Sequence, residues 1–409
     1  MSEANRTRTT YYYERWRAVA AGVLETAGST FLLLIAVRWF ETGAFNKALV
    51  AGGGSVGLLL SPVVVTQVSA AGWPVAQAAA RLLAVGAVSF LLPVLLPVLP
   101  LFVLGSMAGM ASSAAVIPLL TQIYQENYPE QERGRRFSRT VMIRIACAAV
   151  FGKLAGDVLT GHIGYFRWLL LAFAMALGFA SFCLSRCPSR PLSVDGGAHP
   201  FRALRFVRDD ALFRRTLICW MLMGFGNLMM LPLRVEYLAN PRYDLALDAG
   251  RVALLTTVVP NLARLVLNPL WGHLFDRMNF FALRVMLNVG FAIGILTFFV
   301  SHSFTGLVVG AVVYGISNAG GDVAWSLWVT KFAPPERVAD YMSVHTFFTG
   351  VRGVLAPMVG FYLAGRHSLG LLAGLSSLLI VAATALLLPE IKFGKAARPG
   401  TALVEEVSE

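Results

Sequence analysis

Six ionisable side chains lie within stretches that are otherwise apolar: the acids Glu25, Asp157 and Asp322, and the bases Lys153, Arg264 and Arg352. At the centre of a bilayer such a group costs at least ~2.5–3.5 kcal/mol on insertion scales, so its presence points to an ion pair, a proton site or a ligand contact. Three acids against three bases admit a structural reading in which they neutralise one another. With their polar neighbours they also outline candidate binding stripes.

The fullest stripe is Tyr314, Asn318, Asp322 and Trp325, whose spacing puts all four on one helix face, beside the helix-weakening pair Gly320-Gly321. An aromatic ring, an amide and a carboxylate suit a polar, ring-bearing or cationic ligand. Glu25 has Ser29 one turn further on, with Thr26 and Thr30 on the adjacent stripe. Hydroxyls in lipid spans often bond only their own backbone carbonyls, so the carboxylate carries the weight there. Asn227 and Arg234 share a face near Pro232 and two methionines, residues that also mark an adaptable, bendable span. Ser113, Thr121 and Gln122 form a weaker polar group.

The segments that must carry these residues are long apolar runs. A 409-residue chain with 57% hydrophobic and 14% charged residues, at a mean hydropathy of +0.67, is too apolar to be a water-soluble globule. A bilayer core of roughly 30 Å needs about 20 apolar residues per helical crossing. The sequence supplies runs at 18–40, 44–67, 75–96, 100–124, 141–160, 166–186, 215–233, 252–270, 280–300, 305–329, 342–363 and 369–388. Uniformly apolar rather than alternating, they predict helices, not barrel strands. The expected fold is an all-α polytopic membrane protein with a cytoplasmic segment 1–17, six-helix bundles 18–186 and 215–388, a central cytoplasmic loop 187–214 and a cytoplasmic tail 389–409. The polar start leading into a full-length span predicts a signal anchor rather than a cleaved leader.

The formal charge of +12 raises the question of nucleic acid, and the placement of the bases answers it. With the N-terminus cytoplasmic, most of the 34 Lys and Arg fall in inner loops or at inner span ends, as the positive-inside rule requires. The charge is a topology signal and an attraction to anionic headgroups, and no nucleic-acid partner is expected. The six histidines are scattered, with neither an H-E-x-x-H pair nor a P-loop, so no enzyme, cofactor or direct ATP drive is expected. Cys183 and Cys187 lie one turn apart without companion ligands and read as packing residues, with no metal site.

Two patterns refine the architecture. Glu132-Arg133, Phe137, Gly152 and Gly156 recur as Glu336-Arg337, Tyr341, Ala356 and Gly360, at the offset of 204 residues that separates Glu132 from Glu336. Each match alone has a mundane cause in helix starts, topology and close helix packing. The shared offset indicates an internal duplication.

Between the eighth and ninth runs stands Gly272-His273-Leu274-Phe275-Asp276-Arg277, which resembles the G-x-L-x-D-R loop signature of the major facilitator superfamily in its second-copy position. With twelve spans in two sixes, the resemblance covers essentially the whole chain. It implies that Gly272 allows close approach while Asp276 and Arg277 lock the cytoplasmic side. The first-half counterpart has degenerated, because the stretch 61–72 holds neither acid nor base. The Gly152–Gly156 pattern reads as packing.

The resemblance further implies that helices 1, 4, 7 and 10 line a central cavity. The expected function is therefore secondary transport of a small polar or amphipathic solute by alternating access. Glu25 or Asp322 would accept the proton if transport is proton-coupled. Arg352 is expected to pair with Asp322. The expected partners are a small-molecule substrate, protons and the lipid bilayer, with the chain a monomer in the plasma membrane, which is the inner membrane in a bacterium. The alternative is a non-transporting sensor or binding protein that keeps the fold.

Overall fold

The structure, a computed structural model, describes residues 2–192, 201, 204–328 and 338–393. These residues form twelve long helices. In the first half, α1 is Glu3–Thr26 and Leu32–Arg38 joined through a π-helical turn Ala27–Phe31, α2 is Ala44–Ala71 and α3 is Val75–Leu95. There follow α4 (Leu99–Ala115 and Ile117–Asn127), α5 (Glu130–Gly161) and α6 (Phe166–Ser185). In the second half, α7 is Ala211–Ala239, and α8 is Ala249–Ala253 and Val259–Arg277 joined through a second π-helical turn, Leu254–Val258. The last four are α9 (Phe280–Val300), α10 (Phe304–Leu327), α11 (Val338–Ala364) and α12 (Leu369–Phe393). Among the described residues, eleven helices are long and apolar enough to cross a membrane; α5 is as long but carries Arg144, Lys153 and Asp157.

Local chemistry explains several ends. Asp248 accepts from the Arg251 N–H at the start of α8, Asn279 from the Phe281 N–H at the start of α9, and Ser303 from the Gly306 N–H at the start of α10. Gly72 ends α2 in the left-handed conformation at φ 62°. Large apolar side chains point outward at helical spacing, as with Val150, Leu154 and Val158 on α5 and Val289, Ile293 and Val300 on α9. An exterior of this kind is stable against hydrocarbon, and the protein is a multi-pass membrane protein.

Two boundaries differ from expectation. The polar first residues are helical, because α1 begins at Glu3 with Ser2 accepting from the Asn5 N–H. The stretch 61–72, read as a degenerate loop, is helical through Ala71, since α2 continues past Pro62. The connection between α2 and α3 is therefore short.

By contacts the chain divides into two compact units, Met1–Pro200 with Leu238–Val258, and Phe201–Tyr237 with Val259–Glu409. The start of α8 thus belongs to the first unit, where it packs on α5. Helix pairing within the units repeats with a shift of six. In the first, α2 packs on α4, and α3 on α4 and α6; in the second, α8 packs on α10, and α9 on α10 and α12. The duplication suggested by the sequence echo is thus visible in the packing, although Glu336 and Arg337 lie outside the described residues.

A further correspondence links α1–α5 with α7–α11. Gly22 of α1 lies so close to α5 that a Cβ there would stand 2.7 Å from the Cys147 Cβ and 3.0 Å from the Ala148 N. In the second unit Gly224 of α7 faces α11 in the same way, but the space left by its missing Cβ is filled by the Arg352 guanidinium. Ala148 and Arg352 are also 204 residues apart. A crossing that brings two backbones together in one unit holds a buried cation in the other.

Candidate functional site

The polar residues singled out in the sequence fall into several clusters, each inside one unit. In the first unit, the two π-helical turns meet. Thr30 Oγ1 lies 2.7 Å from Thr256 Oγ1 and 2.6 Å from Thr257 Oγ1, Ser29 Oγ is 3.4 Å from Thr257 Oγ1, and Thr256 donates to the Val252 carbonyl at 2.7 Å. One arrangement satisfies every hydroxyl as donor: Ser29 to Thr257, Thr257 to Thr30, Thr30 to Thr256, and Thr256 to Val252. π-Turns expose side chains that a regular helix would turn away, which is how two adjacent threonines on α8 reach one on α1. Sequence reasoning found Ser29 and Thr30 but not Thr256 and Thr257, which carried no mark beyond being hydroxylic. Thr30→Val removes the central link at nearly constant volume and is expected to destabilise the protein by about 1–3 kcal/mol, read by thermal unfolding in detergent. Ser29→Ala, at the more open end of the chain, is expected to lose less.

Glu25 is not a free acid. Its carboxylate lies 3.1 Å from Arg144 Nε of α5. Asp157 is held by Lys153 one turn away on the same helix. Gln122 is half-buried on the second piece of α4, beyond the break at Val116, and joins none of these clusters. Nearer the start of α1, Glu14 is buried and accepts from Arg17 at 2.6 and 2.7 Å and from the Tyr124 hydroxyl, joining α1 to α4. This network was missed because Glu14 and Arg17 sit among the polar residues preceding the first apolar run. Nearby, outside the spans, burial pushes the Cys187 thiol up to about 12, which suits a packing residue rather than a reactive one.

In the second unit the expected pairing of Asp322 with Arg352 is not formed. Asp322 Oδ2 of α10 accepts from Arg264 Nη2 at 2.6 Å and Nε at 3.2 Å, and Arg264 Nη1 donates to Asn261 at 2.6 Å. The α8–α10 packing brings Arg264 directly opposite the acid. Arg352 of α11 turns instead toward α7 and donates to the Trp220 carbonyl. Asn318 stands half-buried on the same α10 face as Asp322.

Tyr314 lies further along that helix, with the Arg234 guanidinium 4.0 Å above its ring. Arg234, Tyr314 and Asn227 line a small pocket with Gly294 and Phe298, holding about 10 Å³, room for roughly one water. Trp325, at the other end of the stripe, is half-buried against His345, their ring centres 5.6 Å apart. The stripe is thus one face by spacing but serves three surroundings: a cation over an aromatic ring, an ion pair, and an aromatic cluster.

The assignment of Gly272 as a close-approach position is corrected: a Cβ there would meet nothing within 4 Å among the described residues. Arg277 is exposed in the last turn of α8, and the Asp276 side chain lies outside the described residues.

Residues 237–406 match the family model described as Major Facilitator Superfamily. Comparison with curated proteins returns no significant match. Among solved structures, a single-residue mutant of the nucleoside transporter NupG is similar at 12% identity, covering 94% of this chain and 99% of its own, with a TM-score of 0.74. A D-xylose-proton symporter is similar at 13% identity, with coverages of 94% and 96% and a TM-score of 0.66. The human organic anion transporter MFSD10 (TETRAN) is similar at 14% identity, with coverages of 95% and 100% and a TM-score of 0.67. The family-model match is confined to residues 237–406, and the solved structures share the fold along nearly the whole chain.

Proposed function

We propose that the protein is a secondary active transporter, not an enzyme, that moves a small polar or amphipathic solute across the plasma membrane, which is the inner membrane in a bacterium. The observation that carries this reading is the superfamily match on a chain whose spans hold ion-paired polar clusters inside an apolar exterior. Solute would bind at mid-membrane and be exposed to one side at a time. In the second unit Asn227, Tyr314, Asn318, Asp322 and Trp325 would be the solute-contacting or coupling residues, and in the first unit Glu25, Ser29 and Gln122. Asp276 and Arg277 at the end of α8 would act at the cytoplasmic gate. The solutes named for the similar structures, nucleosides, xylose and organic anions, define the first panel to test.

Proton coupling would work by exchange of partners. Asp322 in its pair with Arg264, or Glu25 with Arg144, would trade the cation for a proton during the cycle, since either one offsets the cost of a partly buried carboxylate. The decisive experiment is uptake into proteoliposomes with an imposed proton gradient. At least one solute class is expected to accumulate above its outside concentration and to leak back when a protonophore is added. Asp322→Asn is expected to remove the accumulation while leaving downhill exchange measurable. Solute binding without flux in any gradient would instead identify a sensor that keeps the fold.

A further inference from the structure

The spans of the second unit contain a cluster of cations that, among the described residues, has no acid as an ion-pair partner. Arg284 of α9 is 2% exposed and stacks 3.6 Å above the ring of Trp220, and Arg352 is 8% exposed. His345 of α11 is fully buried among Trp220, Trp325 and Trp328, with ring centres 5.3, 5.6 and 5.0 Å away. Among the described residues neither arginine makes an ion pair. Arg284 Nη1 and Nη2, Arg352 Nε, Trp220 Nε1 and both ring nitrogens of His345 are buried without a hydrogen-bond partner.

The other intramembrane charges show that this is a departure. Glu25, Asp157 and Asp322 each face a base. Arg284 and Arg352 make no such pair among the described residues, and unlike Arg234, which stands alone over Tyr314, they gather around one residue, Trp220. Two buried guanidinium groups that both contact Trp220, with donor nitrogens unmet, form an arrangement that calls for a source of negative charge. A tryptophan ring beneath Arg284 satisfies the charge from its face but accepts nothing from the in-plane N–H groups, which remain available to a ligand.

We propose that Arg284 and Arg352, with His345 and the Trp220 Nε1–H, form a buried anion site that takes a carboxylate or phosphate group. Guanidinium forks match the paired oxygens of these groups, and tryptophan walls shield the pair from water. Gly224 keeps the site open for Arg352, since any side chain there would occupy the guanidinium's place. Trp325 links the site to the α10 stripe bearing Asn318 and Asp322, so the anion can be a free ion or the acidic end of a solute held on that stripe. Binding here does not depend on the protein moving solute, so it can hold where the transport reading fails.

Intrinsic tryptophan fluorescence of the full-length protein in detergent reports directly on this site, because three tryptophans surround it. Titration with sodium phosphate and sodium acetate, against sodium chloride at equal ionic strength, is expected to give a saturable change. Benzoate and glucose 6-phosphate form the second arm: saturation by the small ions identifies a free anion as sufficient, and saturation by the larger ones alone identifies a solute group. Arg284→Gln and Arg352→Gln are each expected to weaken the effective probe at least tenfold, and Arg284→Lys, which keeps charge but loses the fork, by an intermediate factor. No saturable response of the unmodified protein to any of the four anions would overturn the proposal, as would unchanged affinity in folded Arg284→Gln.

Discussion

Asp322→Ala is expected to destabilise the protein by about 3–5 kcal/mol, and Arg264→Ala by distinctly less, although both remove the same ion pair. The asymmetry follows from burial. The Arg264 side chain is 6% exposed and Asp322 32%. When the acid is removed, two guanidinium nitrogens lose the carboxylate that they contact at 2.6 and 3.2 Å, in a place that water does not readily reach. Asn261 still accepts from Nη1, but it is neutral and cannot offset the charge. When the base is removed, the carboxylate can draw on its partial exposure for hydration, and the loss falls toward the roughly 1.5–3 kcal/mol of a charge-assisted hydrogen bond.

Asp322→Asn should lie between, because an amide oxygen still accepts from the guanidinium. The double substitution Asp322→Ala/Arg264→Ala should cost clearly less than the sum of the singles, since no buried charge is then left over. Thermal or denaturant unfolding in a fixed detergent reads all four proteins. Equal single effects that add in the double would show that the two groups do not depend on each other.

Gly57→Ala should lower the unfolding midpoint, whereas the same change three residues earlier, Gly54→Ala, should leave it unchanged or raise it. In a helix interior alanine is ordinarily favoured over glycine by about 0.5–1 kcal/mol. At Gly54 a Cβ would meet nothing within 4 Å, so that preference is free to show. At Gly57 a Cβ would collide with the Ala111 carbonyl and stand 2.9 Å from its Cα, so α2 and α4 could accommodate it only by moving apart. Both obstacles are backbone, which cannot rotate away as a side chain can. Overpacking of this kind costs about 1–3 kcal/mol, enough to reverse the sign set by helix propensity. In lipid, where apolar burial does not drive helices together, the loss of close contact also removes the attraction that pairs α2 with α4. Matching midpoints for the two variants would mean that the helices are not held this tightly.

Much of the architecture was legible in the sequence because hydrocarbon imposes a local rule. A helix crossing lipid must be apolar along its whole length, so each crossing announces itself without reference to its neighbours. α5, with Arg144, Lys153 and Asp157 along it, departs from this rule and was found only through its apolar run 141–160. The duplication was legible through Glu132-Arg133 and Glu336-Arg337, and helix pairings repeated six elements later give it physical form. Less was legible where the sequence signal was one of residue type alone. Arg284 read as a positive-inside residue, His345 as one of six scattered histidines, and Thr256 and Thr257 as ordinary span residues. Nothing in their neighbourhoods along the chain distinguishes them.

The sequence by itself determined the solvent, the number of crossings, the likeness of the two halves and the identity of the charges that lipid must tolerate. These follow from composition and period, which act over a few turns of one helix. Only the tertiary structure decided which charges meet. Asp322 faces Arg264 because α8 packs on α10, Glu25 faces Arg144 because α1 packs on α5, and Arg352 turns to Trp220 because Gly224 leaves the space. Electrostatic pairing falls off over a few ångströms, and in a helical membrane protein the residue at that distance is set by helix crossings between segments far apart in the chain.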